Sequence, residues 1–112
     1  MLSFTCGGWP EHFGERGING PINDLLFPIQ HGMLFYPGFD VLPPHVLYRT
    51  DRFTNEDFEL ASQNLKQIAQ NFWGIEPIPF RKQNFGDYSI PDMQLKSGLE
   101  TSGTAGFAIH KR

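Results

Sequence analysis

The chain has a single cysteine, little net charge and no long apolar run. That cysteine, Cys6, rules out an internal disulfide framework and is compatible with a reducing compartment such as the cytosol. Proline interrupts the longest apolar runs within five or six residues, whereas roughly 20 are needed to cross a bilayer. No basic leader precedes such a run, so a signal peptide is not expected. These absences predict a soluble cytosolic protein without a membrane partner.

Charge is spread along the chain rather than concentrated. The net charge is −3, with four acidic residues and one basic residue in residues 1–48 and eight of each in residues 49–112. Because neither part offers a basic face for phosphates, nucleic acid is not an expected partner. A hydrophobic content of 39% and eleven phenylalanines suffice for a core and argue against global disorder. The length of 112 residues corresponds to one small domain or part of one.

The first clear helix is followed directly by a predicted strand. One helical face is apolar at three- and four-residue spacing: Leu25, Leu26, Ile29, Met33 and Tyr36. Leu34 and Phe35 add a second apolar side, so we expect this helix to be covered on more than one face. Pro28 should bend the helix or mark a late start. Gly38 is the expected end, and Phe39–Leu42 is the expected strand. After Pro43-Pro44 the chain can remain extended through His45–Tyr48 before a turn at Arg49–Phe53.

A strand and a glycine-rich loop precede this helix. Met1–Cys6 is predicted to be a buried strand, and Gly7-Gly8 permits a tight turn with close backbone approach to a ligand. The loop Trp9–Gly20 contains four further Gly or Pro residues. Open α/β sheets place their ligands at such loops, at the carboxyl ends of strands. Pro21 suits the first turn of the helix that follows.

The second helix has the clearest local signals. Thr54 can cap its free amides, and Asp57 can favour its positive end. Its apolar stripe consists of Phe58, Ala61, Leu65, Ile68 and Phe72. We expect Gly74 to end this helix and the Arg81-Lys82 pair to be solvated. Ser97–Gly106 has the composition of a flexible tail.

The order strand, helix, strand, helix predicts a parallel α/β layer. Two strands and two helices are too few for such a sheet, whose strands normally have neighbours and two covered faces. We therefore expect low stability for the isolated chain.

Several segments resemble, in order, the signature of the NAD(P)H:quinone oxidoreductases. They are Leu2–Gly8, Phe27–Gly32 (the family usually has Trp at its first position), Leu34, Gly38-Phe39, Val41-Leu42 and Glu76–Pro79. The resemblance implies that residues 1–80 are the carboxyl-terminal part of a flavodoxin-like, doubly wound parallel sheet that binds flavin. Residues 81–112 would be an extension or loosely structured tail. The first three strands and the flavin phosphate loop of the family are expected to be missing, as in a truncated or alternatively spliced form.

The same resemblance implies an oxidoreductase. In the family, NADH or NADPH passes a hydride to FAD, and a quinone then takes two electrons at a site that spans a homodimer. Thr5, Cys6, Gly7, Gly8 and Phe13 would contact the flavin, with backbone amides along its pyrimidine edge. Donors there stabilise the negative charge of the reduced ring. From the residues alone, Gly7-Gly8 is more simply a turn at a strand end, and the family signature that follows favours the flavin contact.

Phe13 and Asn19 occupy the positions that the resemblance makes catalytic. Phe13 stands where the family usually has Tyr, and it can stack on a ring but cannot donate a hydrogen bond or a proton. Asn19 stands where some members have His and one branch has Asn, which does not titrate. With no evident proton relay, we expect slow turnover rather than none. His12, Asn19 and Tyr36 would line the substrate side, although His12 also fits an exposed loop and Tyr36 fits core packing.

A zinc site is not expected. One branch of the family binds zinc through two His and a Cys, and the matching positions here are His31, Phe35 and Phe80. A lone histidine does not make a zinc site. The other histidines show no ligand spacing, and Cys6 has no sequence neighbour that suggests a thiol nucleophile.

Two classes of function therefore stay open. One is a flavin-dependent quinone reductase. The other is a non-catalytic fragment that associates with a full-length relative or another protein, for which Leu2–Cys6 offers an unpaired strand edge. A small flavin electron carrier is disfavoured because no phosphate loop is evident. Flavin absorbance of the purified chain distinguishes the first two.

Overall fold

The computed structural model describes all residues from 1 to 112. The chain forms two compact units, each made of two segments. We call Met1–Leu25 with Leu42–Pro77 the sheet unit, and Leu26–Val41 with Ile78–Arg112 the aromatic unit. No helix is both long enough and apolar enough to cross a membrane.

The sheet unit contains two parallel strands. Strand β1 (Ser3–Thr5) pairs with β2 (His45–Leu47), with Ser3 opposite His45. Ser3 Oγ and His45 Nδ1 share a hydrogen bond of 3.0 Å. The predicted first strand is confirmed in position but not in burial, because Ser3 and Thr5 are exposed and Phe4 is half-buried. Parallel sheets are normally covered on both faces. The exposed side chains of Ser3 and Thr5 show that this two-stranded sheet is not.

The second strand lies later in the chain than Phe39–Leu42, so that prediction is wrong. The amide of Phe39 donates to the carbonyl of Leu34 at 3.2 Å and is used by the helix end. The carbonyl of Val41 accepts from the amide of Ile78 at 2.7 Å. Pro43-Pro44 has no amide to donate to a ladder. Residues from His45 onward are the first that can pair continuously with β1.

The first helix has two parts that meet at a proline. Helix α1 (Ile22–Phe27) is followed by a π-helix (Pro28–Phe35), in which the amide of Tyr36 reaches the carbonyl of His31 at 2.9 Å. The predicted disturbance at Pro28 is confirmed, since proline lacks the amide that an α-helical bond requires. The predicted covering of the helix is wrong. Met33 is 68% exposed, and only Gln30 is fully buried, because the aromatic unit contains no sheet to pack on that stripe.

Helix α2 (Asn55–Gln70) begins as predicted and ends earlier. The Asp57 amide donates to the Thr54 hydroxyl at 3.2 Å, and the Thr54 amide donates to the Asp57 carboxylate at 2.9 Å. This reciprocal pairing is a capping box. Asn71 follows the helix, and Gly74 instead ends a 3₁₀ turn, Phe72–Gly74. Much of the apolar stripe is exposed, including Phe58, at 63%.

In the aromatic unit, Arg81 is buried, so the prediction of a solvated side chain is wrong for this residue. It is 7% exposed, and its guanidinium donates to the carbonyls of Ile109 at 2.7 Å and Leu99 at 2.5 Å. Buried charge is tolerated only where such bonds compensate for lost water. Residues 97–105 are exposed and contain only turns and irregular backbone, whereas Gly106–His110 forms a 3₁₀ helix.

Candidate flavin-facing site at the glycine loop

The segment that we call the glycine loop, residues 6–20, leaves the carboxyl end of β1. Cys6 ties its start to the other strand, because its amide donates to Leu47 at 2.8 Å and its carbonyl accepts from the Thr50 amide at 3.2 Å. The amides of Gly7 and Gly8 donate no hydrogen bond to the protein. Backbone donors without partners at a sheet edge suit an anionic or carbonyl oxygen. Thr5, the last residue of β1, has an exposed side chain.

Three of the predicted site residues meet in this loop. A Cβ atom at Gly8 would lie 2.9 Å from Cε2 of Phe13 and 3.4 Å from Nδ1 of His12. The ring of Phe13 therefore lies directly against the backbone of Gly8. A side chain at this position would force the ring to move.

The second half of the glycine loop packs against the backbone of His12. The amide of Asn19 donates to the carbonyl of His12 at 2.9 Å, and a Cβ atom at Gly17 would overlap that carbonyl. Gly17 is thus required by close backbone approach. The side chains of His12 and Asn19 are exposed. Tyr36 belongs to the aromatic unit and is 60% exposed, so the core-packing alternative does not hold for its side chain.

Tyr48 and Arg49 are site neighbours that the sequence analysis missed. The ring of Tyr48 lies 5.6 Å from that of Phe13, and burial, followed by the nearby Cys6, raises the pKa of Tyr48. The Arg49 guanidinium lies 3.9 Å over the ring of Trp9, and the Arg49 amide donates to Gly8 at 3.0 Å. Both residues follow β2, and parallel strands bring their carboxyl ends to one edge. Placing the strand at His45–Leu47 from sequence would have identified them.

The positions that match a zinc site in one branch of the resembled family form an aromatic contact instead. The ring centroids of His31, Phe35 and Phe80 lie 5.0 to 5.1 Å from one another. No group of three His, Cys, Asp or Glu side chains in the chain is arranged to hold a metal ion.

A family model described as a flavodoxin-like fold matches residues 1–72. The chain belongs to the flavodoxin-like family. This confirms the predicted fold class, of which the two parallel strands and the helices are part.

Similar flavodoxin-like proteins are named as quinone reductases or as dehydrogenases of that type. A ribosyldihydronicotinamide dehydrogenase-like protein of Penicillium crustosum is 46% identical over 112 residues, which is all of this chain and 41% of the fungal protein. The human ribosyldihydronicotinamide dehydrogenase [quinone] is 35% identical over 79 residues, 70% of this chain and 34% of the human protein. The chain thus spans less than half the length of these relatives.

A solved structure extends the likeness to the whole chain. It is a Klebsiella pneumoniae protein provisionally assigned as a quinone reductase, with 54% sequence identity and a TM-score of 0.94. The match covers 100% of this chain and 43% of the Klebsiella chain. Residues 81–112, expected to be an extension or tail, are therefore part of the fold that this chain shares with the Klebsiella protein.

The glycine loop fits the edge of a flavin ring. The Gly7 and Gly8 amides can donate hydrogen bonds to the carbonyl oxygens of a flavin. The Phe13 ring beside them can stack on a planar heterocycle. The Phe13 ring can lie this close to the loop backbone only because Gly8 has no side chain.

Proposed function

We propose that this chain is the flavin-facing part of a quinone oxidoreductase that uses FAD and NADH, NADPH or a related dihydronicotinamide. The observation that carries the proposal is the pair of unpartnered amides at Gly7-Gly8 with the Phe13 ring against them. FAD would accept a hydride from the nicotinamide and deliver two electrons to the quinone, which also takes up protons to become a hydroquinone. The names of the relatives support this reaction class.

The residues of the chain have distinct roles in this proposal. The amides of Gly7 and Gly8 stabilise negative charge on the pyrimidine edge of the reduced flavin. Phe13 holds the plane of the ring, while His12, Asn19 and Tyr36 contact the nicotinamide or the quinone. Since Phe13 and Asn19 do not titrate, neither supplies a proton. The phenol of Tyr48 is protonated at neutral pH, burial raises its pKa further, and its ring lies 5.6 Å from that of Phe13. We assign to this phenol part of the role of the missing hydroxyl.

The remaining expectations belong to the same proposal. Residues 1–80 would contribute to the flavin-binding domain, and residues 81–112 would extend it. We propose a cytosolic homodimer, in line with the resemblance to two-fold quinone reductases. In a full-length chimera, Phe13→Tyr should raise the rate of quinone reduction, and an unchanged rate would show that the hydroxyl is not limiting.

The first experiment measures flavin in the purified full chain. Wild type should retain FAD, seen as visible absorbance, and Gly8→Val should lose it because the new side chain displaces Phe13. The matched control is Gly14→Ala in the same loop, where a Cβ atom would meet only the Glu11 carbonyl at 3.7 Å. A folded wild-type chain that binds no FAD at micromolar concentration would overturn the proposal for this chain.

A second candidate function is a non-catalytic association module. Two large apolar side chains that share one face of α2, seven residues apart, are widely exposed: Phe58 at 63% and Leu65 at 47%. Exposed apolar patches of this kind mark interaction surfaces. Flavin-free protein that forms a stable dimer, and becomes monomeric in Leu65→Glu, would favour this candidate over the enzyme.

A further inference from the structure

Tyr36, which we assign to the substrate side of the reaction, lines a cavity in the aromatic unit. The cavity is partly open and has a volume of about 150 Å³. Its walls bring Phe35 and Tyr36, at the end of the π-helix, together with residues from the last part of the chain: Tyr88, Met93 and His110. Residues beyond position 80 can therefore take part in the site to which Tyr36 belongs.

Gln83 fixes the backbone beside this cavity. Its side-chain amide donates a hydrogen bond of 2.6 Å to the carbonyl of Tyr36, 47 residues earlier in the chain. Gln83 also lines the cavity. The last part of the chain therefore both holds the end of the π-helix and forms part of the cavity wall.

The size and walls of the cavity suit one planar ring. An apolar cavity of about 150 Å³ in another protein binds benzene. Here the rings of Phe35 and Tyr36 and the thioether of Met93 offer favourable contacts to a ring. A quinone with a single ring meets this description.

Two polar side chains of the wall form a hydrogen-bonded pair. Nδ1 of His110 lies 2.8 Å from the hydroxyl of Tyr88, a residue that is 7% exposed. This hydroxyl has no other hydrogen-bond partner. Because a buried donor without an acceptor is costly, we infer that the Tyr88 hydroxyl donates to Nδ1. The proton of the neutral imidazole is then on Nε2.

Nε2 of His110 is accessible to a ligand. It makes no hydrogen bond to the protein and, unlike Nε2 of His31, it is not enclosed. Burial, followed by the positive charge of Arg81, lowers the pKa of His110 below its ordinary value of 6.5, so the imidazole is neutral at pH 7. A neutral imidazole with its proton on Nε2 donates a hydrogen bond, which a quinone carbonyl can accept.

We propose that this cavity binds the ring of a single-ring quinone and that Nε2–H of His110 donates a hydrogen bond to one of its carbonyl oxygens. The inference rests on the proposed function, in which the quinone takes up two electrons and two protons. The hydrogen bond stabilises the negative charge that develops on this oxygen during reduction. Tyr88 is a positioning residue, because it fixes the proton of His110 on Nε2.

The first test measures binding of hydroquinone, the reduced form of the smallest such quinone, to the full chain in the presence of a reductant. NMR follows the imidazole resonances of His110, with those of His45 in the sheet unit as an internal reference. Saturable shifts of His110 are expected, and the two-ring analogue naphthohydroquinone should bind more weakly. Equal affinity for the two would contradict the assignment to a single ring.

Two cavity variants and one control separate the contacts. His110→Phe keeps a ring but removes Nε2–H, so hydroquinone should bind about tenfold more weakly, the loss of one hydrogen bond, while benzene binds as before. Met93→Trp should fill the cavity and abolish binding of both ligands. Trp73→Phe, at a side chain that is 96% exposed in the sheet unit, should bind hydroquinone like wild type.

The imidazole nitrogen shifts of His110 test the role of Tyr88. In wild type they should show the proton on Nε2, whereas Tyr88→Phe should give a mixture of the two tautomers. A purely structural role of the Tyr88 hydroxyl would leave the tautomer unchanged. A proton on Nδ1 in wild type would contradict the proposed hydrogen bond to the quinone.

Kinetics of the flavin-loaded chain connect the cavity to the reaction. His110→Phe should lower kcat/KM for benzoquinone about tenfold and leave the rate of flavin reduction by the nicotinamide unchanged. A folded chain that retains no flavin overturns the proposed function and this inference with it. Retained flavin without saturable His110 shifts, or with equal hydroquinone affinity in His110→Phe, overturns this inference alone.

Discussion

The sheet unit and the aromatic unit are held together by different interactions. In the sheet unit, two three-residue strands and the capped end of α2 supply local backbone hydrogen bonds, while large apolar side chains of α2 stay exposed. In the aromatic unit, rings pack on one another, as where Phe27 stacks on His31 at 4.6 Å and on Phe107 at 4.3 Å. A unit without a sheet can therefore still be compact, because ring contacts and buried hydrogen bonds such as those of Arg81 replace the β-layer.

The largest expected effect is at the centre of the aromatic unit. Phe80 is 5% exposed and its ring contacts Phe27, His31 and Phe35. Phe80→Ala should lower the free energy of unfolding by about 3–5 kcal/mol, through lost burial and a cavity. Urea denaturation followed by circular dichroism measures this. The control Phe85→Ala, at a side chain that is 90% exposed, should change it by no more than about 0.5 kcal/mol. Equal effects would mean that the rings do not stabilise the unit.

A smaller effect is expected at the capping box of the sheet unit. Thr54→Ala removes the acceptor of the Asp57 amide and should cost about 1 kcal/mol in the free energy of unfolding. The same denaturation experiment, with helicity at 222 nm as readout, measures it. Ser62→Ala, within α2, is the matched control and should be neutral or slightly stabilising because alanine favours helix. If Thr54→Ala lowered the free energy of unfolding as much as Phe80→Ala, the two units would not differ in the size of the interactions that stabilise them.

The smallest expected effect is a pH dependence of stability that arises from two histidines of the aromatic unit. Burial lowers the pKa of His31 and His110 below the ordinary value of 6.5, so the unfolded chain binds protons at a higher pH than the folded chain does. Stability is therefore retained above about pH 6.5 and falls as pH decreases below it toward the folded-state pKa values. The neighbouring positive charge of Arg81 adds to the penalty for protonating His110. Thermal melts between pH 7.5 and 5.5 should show this loss, and His31→Phe should reduce its slope. An unchanged slope in His31→Phe would assign the dependence to other groups.

Local signals predicted several features correctly from sequence. The capping box at Thr54, the effect of Pro28 and the strand before Gly7-Gly8 depend on neighbouring residues, so they could be inferred without knowledge of the fold. The family resemblance named Gly8 and Phe13 as flavin contacts, but only the tertiary structure shows that a Cβ atom at Gly8 would lie 2.9 Å from the Phe13 ring. Tyr48 and Arg49 were missed because the second strand was placed too early.

The remaining errors share one physical cause, which is contact between distant parts of the chain. In the sequence, Arg81 stands beside Lys82, and such a charged pair is typical of a solvated surface. The carbonyls that accept its hydrogen bonds, those of Leu99 and Ile109, lie 18 and 28 residues away. Likewise, the bond between Ile78 and Val41 helps to exclude Phe39–Leu42 from the sheet. Periodicity also predicts which helix face is apolar, but not whether anything covers it.

By itself, the order of residues determined the parallel α/β pattern, the helix cap and the glycine turn after the first strand, because each arises from backbone preferences over a few positions. Tertiary structure alone decided which amides around that turn lack partners and which arginine is buried. Those outcomes depend on contacts across tens of residues, whose geometry no local pattern contains.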